Sequence, residues 1–236
     1  MKVEAVLFDL FDTLLLIEGG DAFYMSSLRK LHESLTVNGV NVSFEQFRSA
    51  YVEAREGLFI ETDRALEEPH FNVRVSRTLQ KLGYNFKVSD EVVVKATEAF
   101  SNEFMRYTHL DEDAKNVLQQ LHEKYKLGIV SNFAIPECVW KLLEKYGLKE
   151  FFKVVVISGA VNRRKPSPKI FEKALEAIDS KACQTVFVGD TLSVDVRGAK
   201  NVGMKTILIE RKPTEKNADI QPDKTIKRLD ELLTVL

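Results

Sequence analysis

The sequence predicts an α/β fold, with a parallel sheet covered by helices on both faces and a separate, smaller all-helical block. Three observations carry this. From residue 109 onward, strand-like apolar runs alternate with amphipathic helical patterns. Those runs are continuously apolar, as in strands buried on both faces. Residues 16–108 carry helical periodicity alone, and they follow one strand-like run, "VEAVLFD". A lone strand beside a helical block has no partner, so it must join the later sheet.

The elements follow in order. "SFEQFRSAYVEAREGLF" repeats Phe44, Phe47, Tyr51, Ala54 and Leu58 at helical spacing, opened by a capping box of Ser43 and Gln46. "FNVRVSRTLQKL" and "DEVVVKATEAFSNEFMRY" are further amphipathic segments. "DAKNVLQQLHEKY" puts Ala114, Val117, Leu118, Leu121 and Tyr125 on one face, and "LGIVSN" is a buried strand. "PECVWKLLEKYG" opens on Pro136 and stops at Gly147. "FKVVVISG" is a strand; "SPKIFEKALEAI" is a helix with Ser167 as N-cap and Pro168 at its first position. "TVFVGD" is a strand, "LSVDVRGAKNVG" a helix and "KTILIE" a strand, followed by a short strand near Ile226 and a terminal helix from about Leu229. The expected architecture is a Rossmann-like core, residues 1–15 and 109–236, with a small helical cap domain, residues 16–108.

The 236 residues carry a formal net charge of -1, with 44% hydrophobic and 29% charged residues. That balance suits a soluble globular chain large enough for a sizeable core. No single-sign block marks a nucleic-acid or anionic-membrane partner. The apolar runs at 14–17 and 154–157 are too short to cross a bilayer. Strand-like sequence begins almost at once, without a signal-peptide pattern. Cys138 and Cys183 lie far apart and read as free thiols. The expected setting is the cytoplasm, as a monomer or homodimer.

Ligands of open parallel sheets bind at the carboxyl ends of the strands. Asp9, Ser131 and Asn132, Lys165, and Asp190 with Asp195 all follow strand-like runs and should converge there. Three carboxylates together repel one another unless cations join them. Lys165 supplies one charge, and a hard divalent ion such as Mg²⁺, which takes oxygen ligands, supplies the rest. Such a constellation suits phosphoryl transfer, in which a carboxylate attacks phosphorus while metal and lysine stabilise the charge on the phosphoryl oxygens.

The segments "VLFDLFDTL", "IVSN", "RRKPSPKIF" and "VFVGDTLSVDVRGAK" together resemble the haloacid dehalogenase superfamily of hydrolases, in the subgroup with a helical cap inserted after the first motif. They match in order and spacing, and the resemblance covers essentially the whole chain. It implies a nucleophile at Asp9, with catalytic or phosphate contacts from Ser131 and Lys165. It also implies a metal held by Asp9, Asp190 and the backbone carbonyl of Phe11. Asn132 and Thr13 are candidate substrate contacts, and Asp195 and Asp12 candidate supporting residues. The implied activity is Mg²⁺-dependent hydrolysis of a small phosphorylated metabolite.

One departure bears on that activity. Family phosphatases read DxDxT, with a second aspartate that protonates the leaving alcohol. Here the segment is "DLFDT": Phe11 stands at that position and Asp12 lies one step beyond it. An aromatic residue there resembles the halide-releasing branch, whose leaving group needs no proton. That branch is metal-free and has a non-acidic fourth motif, whereas this chain keeps "GDTLSVD". The sequence favours a phosphatase, with a metal-independent 2-haloacid dehalogenase and a weakly active binding protein as alternatives.

Overall fold

A computed structural model describes residues 3–20, 22–211 and 219–236. Its six-stranded sheet has β1 (Ala5–Phe8) near the centre, flanked by β4 (Lys126–Ser131) and β6 (Thr185–Gly189). β5 (Val154–Ile157) lies beyond β4; β7 (Lys205–Ile209) and then β8 (Lys224–Ile226) lie beyond β6. Every pairing is parallel. The first strand thus joins the later sheet, and chain order reverses around it, which opens a crevice at the strands' carboxyl ends.

Continuous apolar strands need cover on both sides, and this sheet has it. Val6, Phe8, Val186 and Val188 face one core with α5 (Ala114–His122) and α6 (Pro136–Lys145). Ala5, Leu7 and Phe187 face the other, with α8 (Pro168–Ile178) and α9 (Arg197–Asn201). Neighbouring residues of one strand alternate between the two cores, as the pleat requires.

Between β2 (Leu15–Ile17) and β3 (Thr108–Leu110) run α1 (Ala22–Val37), α2 (Phe44–Thr62), α3 (Phe71–Lys81) and α4 (Glu91–Phe104). β2 and β3 pair antiparallel, so the outgoing and returning chains are tied together where the helices begin and end. The capping box of α2 forms as expected: Gln46 N donates to Ser43 Oγ, and Ser43 N donates to Gln46 Oε1. The apolar faces of α1–α4 belong to the same buried cluster as one face of the sheet, through Leu31, Phe47, Tyr51, Phe71 and Phe100.

Three local expectations are corrected. α5 ends at His122, short of Tyr125. Ser167 precedes α8 but makes no side-chain cap bond. The segment after β6 is not one regular helix: Leu192–Val196 is a π-helical turn that leads into α9. That widened turn brings Asp195 back toward the strand end, where its Oδ2 accepts from Thr191 N at 3.1 Å.

Candidate active site

Asp9 follows β1 directly and is 7% exposed; its N–H donates to Val188 O, which fixes the chain at the strand end. Lys165 is 3% exposed. Its Nζ lies 2.5 Å from Asp9 Oδ1 and 2.8 Å from Asp195 Oδ1. Thr13, fully buried, donates to Asp9 Oδ2 at 3.3 Å. Asp190 follows β6, and carboxylate oxygens of Asp9, Asp190 and Asp195 all lie within 4.8 Å of one another.

The close approach depends on Gly189. A Cβ there would sit 2.5 Å from Asp195 Oδ2, so any side chain would push Asp195 off its place. Lys165 is set by its backbone. Its N–H donates to Asn132 Oδ1 at 2.7 Å, Asn132 Nδ2 donates to its carbonyl at 3.0 Å, and the Lys165–Pro166 bond is cis. Sequence analysis offered Asn132 as a substrate contact; its amide is engaged on the lysine backbone. Ser131 ends β4, fully buried, and its hydroxyl has no hydrogen-bond partner among the described residues. A buried hydroxyl without a partner is costly. An incoming acceptor oxygen would remove that cost.

Asp12 takes a left-handed conformation (φ 56°), and its Oδ1 accepts from Ile17 N at 3.2 Å. Its carboxylate thereby braces the turn into β2. Phe11 turns the other way, onto rings of the helical insertion and of the loop after β4: edge-on to Phe104 at 5.5 Å and tilted against Phe133 at 4.8 Å. The nine residues singled out from sequence therefore divide. Asp9, Thr13, Lys165, Asp190 and Asp195 form one charged knot, Ser131 and Asn132 line the β4 end, Asp12 braces a turn, and Phe11 faces an aromatic cavity.

That cavity, about 330 Å³, is walled by Phe11, Asn132 and Phe133 on the sheet side and by Phe23, Phe71 and Phe104 from the helices. Arg74 and Glu68 also line it. Sequence reasoning passed over both. Nothing local marks Arg74 as different from any arginine on an amphipathic helix, and Glu68 lies in a loop.

The charges are out of balance. Burial pushes the Asp9 carboxyl up to about 7, against the pull of Lys165, and Asp195 and Asp190 add to the rise. Burial, with Asp195 and Asp12, likewise holds Asp190 at about 6. Burial alone would lower Lys165, but Asp195 and Asp9 override it and hold the ammonium above its ordinary value. Three carboxylates face one ammonium, and an all-oxygen donor set of this charge suits a hard divalent cation.

The pH consequence has a definite sign. Asp9 is raised in the folded chain, so its contribution to stability is full below its ordinary pKa of 3.8 and is lost as pH rises through about 7. A divalent cation competes with those protons, because carboxylate ligands must be deprotonated. Added Mg²⁺ is therefore expected to raise Tm clearly at pH 7.5 and little at pH 5, as read by calorimetry. An equal shift at both pH values would contradict the assignment.

The haloacid dehalogenase-like hydrolase family model matches residues 37–209. A glyceraldehyde 3-phosphate phosphatase of Methanopyrus kandleri is 32% identical, covering 99% of this chain and 97% of its own. Among solved structures, a 2-haloacid dehalogenase from Pseudomonas syringae superposes with TM-score 0.75 at 26% identity, covering 99% of this chain and 97% of its own. A HAD phosphatase from Thermococcus onnurineus gives 0.66 at 27% identity, with the same coverage. Sheet, crevice and relatives define a hydrolase on a parallel α/β scaffold. More narrowly, the chain belongs to the haloacid dehalogenase-like hydrolases, as the four motifs led one to expect.

Proposed function

We propose that the chain is a Mg²⁺-dependent phosphatase of a small phosphorylated metabolite, working through a phosphoryl group carried on Asp9. The observation that carries this is the knot of Asp9, Asp190 and Asp195 around Lys165 at the carboxyl ends of β1 and β6. In this reading residues 16–108 are a cap over a core of residues 1–15 and 109–236, and the enzyme is cytoplasmic.

Asp9 is the nucleophile: an oxygen of its carboxylate attacks phosphorus, the ester oxygen leaves, and water later releases phosphate from the acyl phosphate. Lys165 fixes Asp9 and offsets negative charge beside the phosphoryl oxygens. The partnerless Ser131 hydroxyl donates to one of those oxygens. Asn132 holds the lysine loop, and Thr13 holds Asp9 in its rotamer. Asp190, Asp9 and the Phe11 carbonyl are the proposed metal ligands, with Asp195 acting through Lys165. When bound, Mg²⁺ supplies positive charge against the transferring phosphoryl group. No side chain at position 11 supplies a proton, so leaving groups that depart as stable anions should react fastest.

The test is phosphate release from p-nitrophenyl phosphate. Activity should vanish with chelator and return with Mg²⁺, and Asp190→Asn should raise the Mg²⁺ needed for half-maximal rate by about 10- to 100-fold. Activity indifferent to chelator would sink the reading. Glyceraldehyde 3-phosphate, the substrate in the name of the Methanopyrus kandleri relative, is the first metabolite to try.

A second reading, a 2-haloacid dehalogenase, draws on the aromatic Phe11 and on likeness to the Pseudomonas syringae structure. Chloride release from 2-chloropropionate in chelator would support it. Three clustered carboxylates weigh against it, since without a metal the single Lys165 ammonium must offset all three.

A further inference from the structure

Arg74 is the fourth residue of α3, where a cation meets the positive end of its own helix. It lines the aromatic cavity together with Phe11 and Asn132. Burial alone would lower its pKa, but the Tyr51 and Tyr24 hydroxyls and the charge of Glu68 hold it above its ordinary value. No carboxylate among the described residues comes within ion-pair distance of it. The acid that shares the cavity wall, Glu68, accepts a short hydrogen bond from Ser158 Oγ instead. Among the described residues, only Nη1 of the three guanidinium nitrogens has a hydrogen-bond partner, the neutral Tyr51 hydroxyl at 3.2 Å. Nε is buried with no partner. The plane is held in place by the rings of Phe71, 5.2 Å from the guanidinium carbon, and Tyr51, at 5.9 Å.

The Nε–Nη2 edge, whose Nε is buried without a partner among the described residues, is the side of a guanidinium that binds a carboxylate with two parallel hydrogen bonds. A partly buried cation in an aromatic wall, with Glu68 nearby but no direct ion pair among the described residues, gains from an anion that reaches its unpaired edge. A singly charged carboxylate balances a single guanidinium, and a cavity of about 330 Å³ has room for a short chain.

We infer that Arg74 is a specificity-determining residue that receives a carboxylate at the far end of the substrate, so that the preferred substrates are phosphate esters of short hydroxy acids. This rests on the phosphatase reading above and narrows its substrate class. Arg74 touches the remote carboxylate and not the reacting atoms, so its loss should act through binding.

The test compares 3-phosphoglycerate with glyceraldehyde 3-phosphate, which share a carbon chain and differ in a carboxylate for an aldehyde. Wild type should favour the acid at least about tenfold in kcat/KM, the scale of one charge-assisted hydrogen-bond pair. Arg74→Met should reduce that preference at least tenfold, mostly through KM, and Arg74→Lys should restore part of it. Cooperative melting of both variants separates a lost contact from a lost fold. A wild-type preference at or below unity, or a variant that slows both esters equally, overturns the inference. If wild type hydrolyses neither these esters nor p-nitrophenyl phosphate, the phosphatase reading fails. Calorimetric titration with 3-phosphoglycerate then decides the role of Arg74: binding lost only in Arg74→Met upholds the carboxylate contact, and no binding to wild type ends it.

Discussion

Asp9→Asn is expected to lower phosphatase turnover on the order of 10⁴-fold or more, the scale at which enzymes lose a covalent nucleophile, while leaving the chain as stable as before. The two halves are argued from the same contacts. Asparagine keeps the shape: with its oxygen turned to Lys165 Nζ, its amide NH2 can donate to the Thr13 hydroxyl, but an amide oxygen is too weak a nucleophile to attack phosphorus. The stability half follows from the charges. Removing one partner of a buried ion pair ordinarily strands the other at a cost of several kcal/mol. Here Lys165 keeps Asp195 at 2.8 Å, so the ammonium stays paired. One of three mutually repelling carboxylates is gone, and it is one whose ionisation burial opposes, at about 7. Without metal at pH 7.5, Tm should therefore hold or rise. With Mg²⁺ the gain in Tm should shrink, because one of the proposed ligands has been removed. The contrast is Lys165→Met, which leaves Asp9 and Asp195 buried without their cation and should fail to fold well. Unimpaired turnover in Asp9→Asn would remove the proposed mechanism altogether. A sharp drop in its metal-free Tm would show that the knot is chiefly structural.

The sequence made the charged half of this site legible because strand ends are easy to read. Continuous apolar runs locate the strands, a parallel sheet gathers their carboxyl ends, and whatever polar residues follow must meet there. Asp9, Lys165, Asp190 and Asp195 lie close together there, and Ser131 ends β4, buried. The helical half was not legible in the same way. Its apolar spacing marks helices and their buried faces, yet it does not say which turn of which helix lies over the crevice. Arg74 and Glu68 reach the cavity only because the start of α3 is tied to the loop after β4, where Phe71 N donates to Ala134 O. Asn132 illustrates a different limit. Its type and position suit a substrate contact, and only coordinates show both ends of its amide on the Lys165 backbone. The β2–β3 pair joins residues about ninety positions apart, as in the register Leu15 with Leu110, a separation that local patterns do not encode.

Phe11→Asp is expected to speed hydrolysis of alkyl phosphates about 100-fold and p-nitrophenyl phosphate by less than about threefold, within the ~10²–10⁴-fold that a positioned general acid contributes. An alkoxide is a poor leaving group and needs a proton as the bond breaks; nitrophenolate does not. An introduced carboxyl group beside Asp9, facing an aromatic wall, should have a raised pKa from burial and from its neighbours' charge, and so remain protonated near neutral pH. The gain comes with a loss of stability. Phe11 gives up its contacts with Phe104 and Phe133, and aromatic pairs are worth about 0.5–1.5 kcal/mol each beyond the area they bury. With the cavity left behind, a loss of about 2–4 kcal/mol should lower Tm by roughly 5–15 °C in a chain of this size. Phe11→Asn separates the two effects: it opens the same cavity and carries no acidic proton, so it should lose the stability without the rate. If both variants gain equally on glycerol phosphate, the ring was merely obstructing the leaving group. If neither gains, the natural site already draws its proton from elsewhere, and Glu68, the acid on the same cavity wall, is the next residue to change.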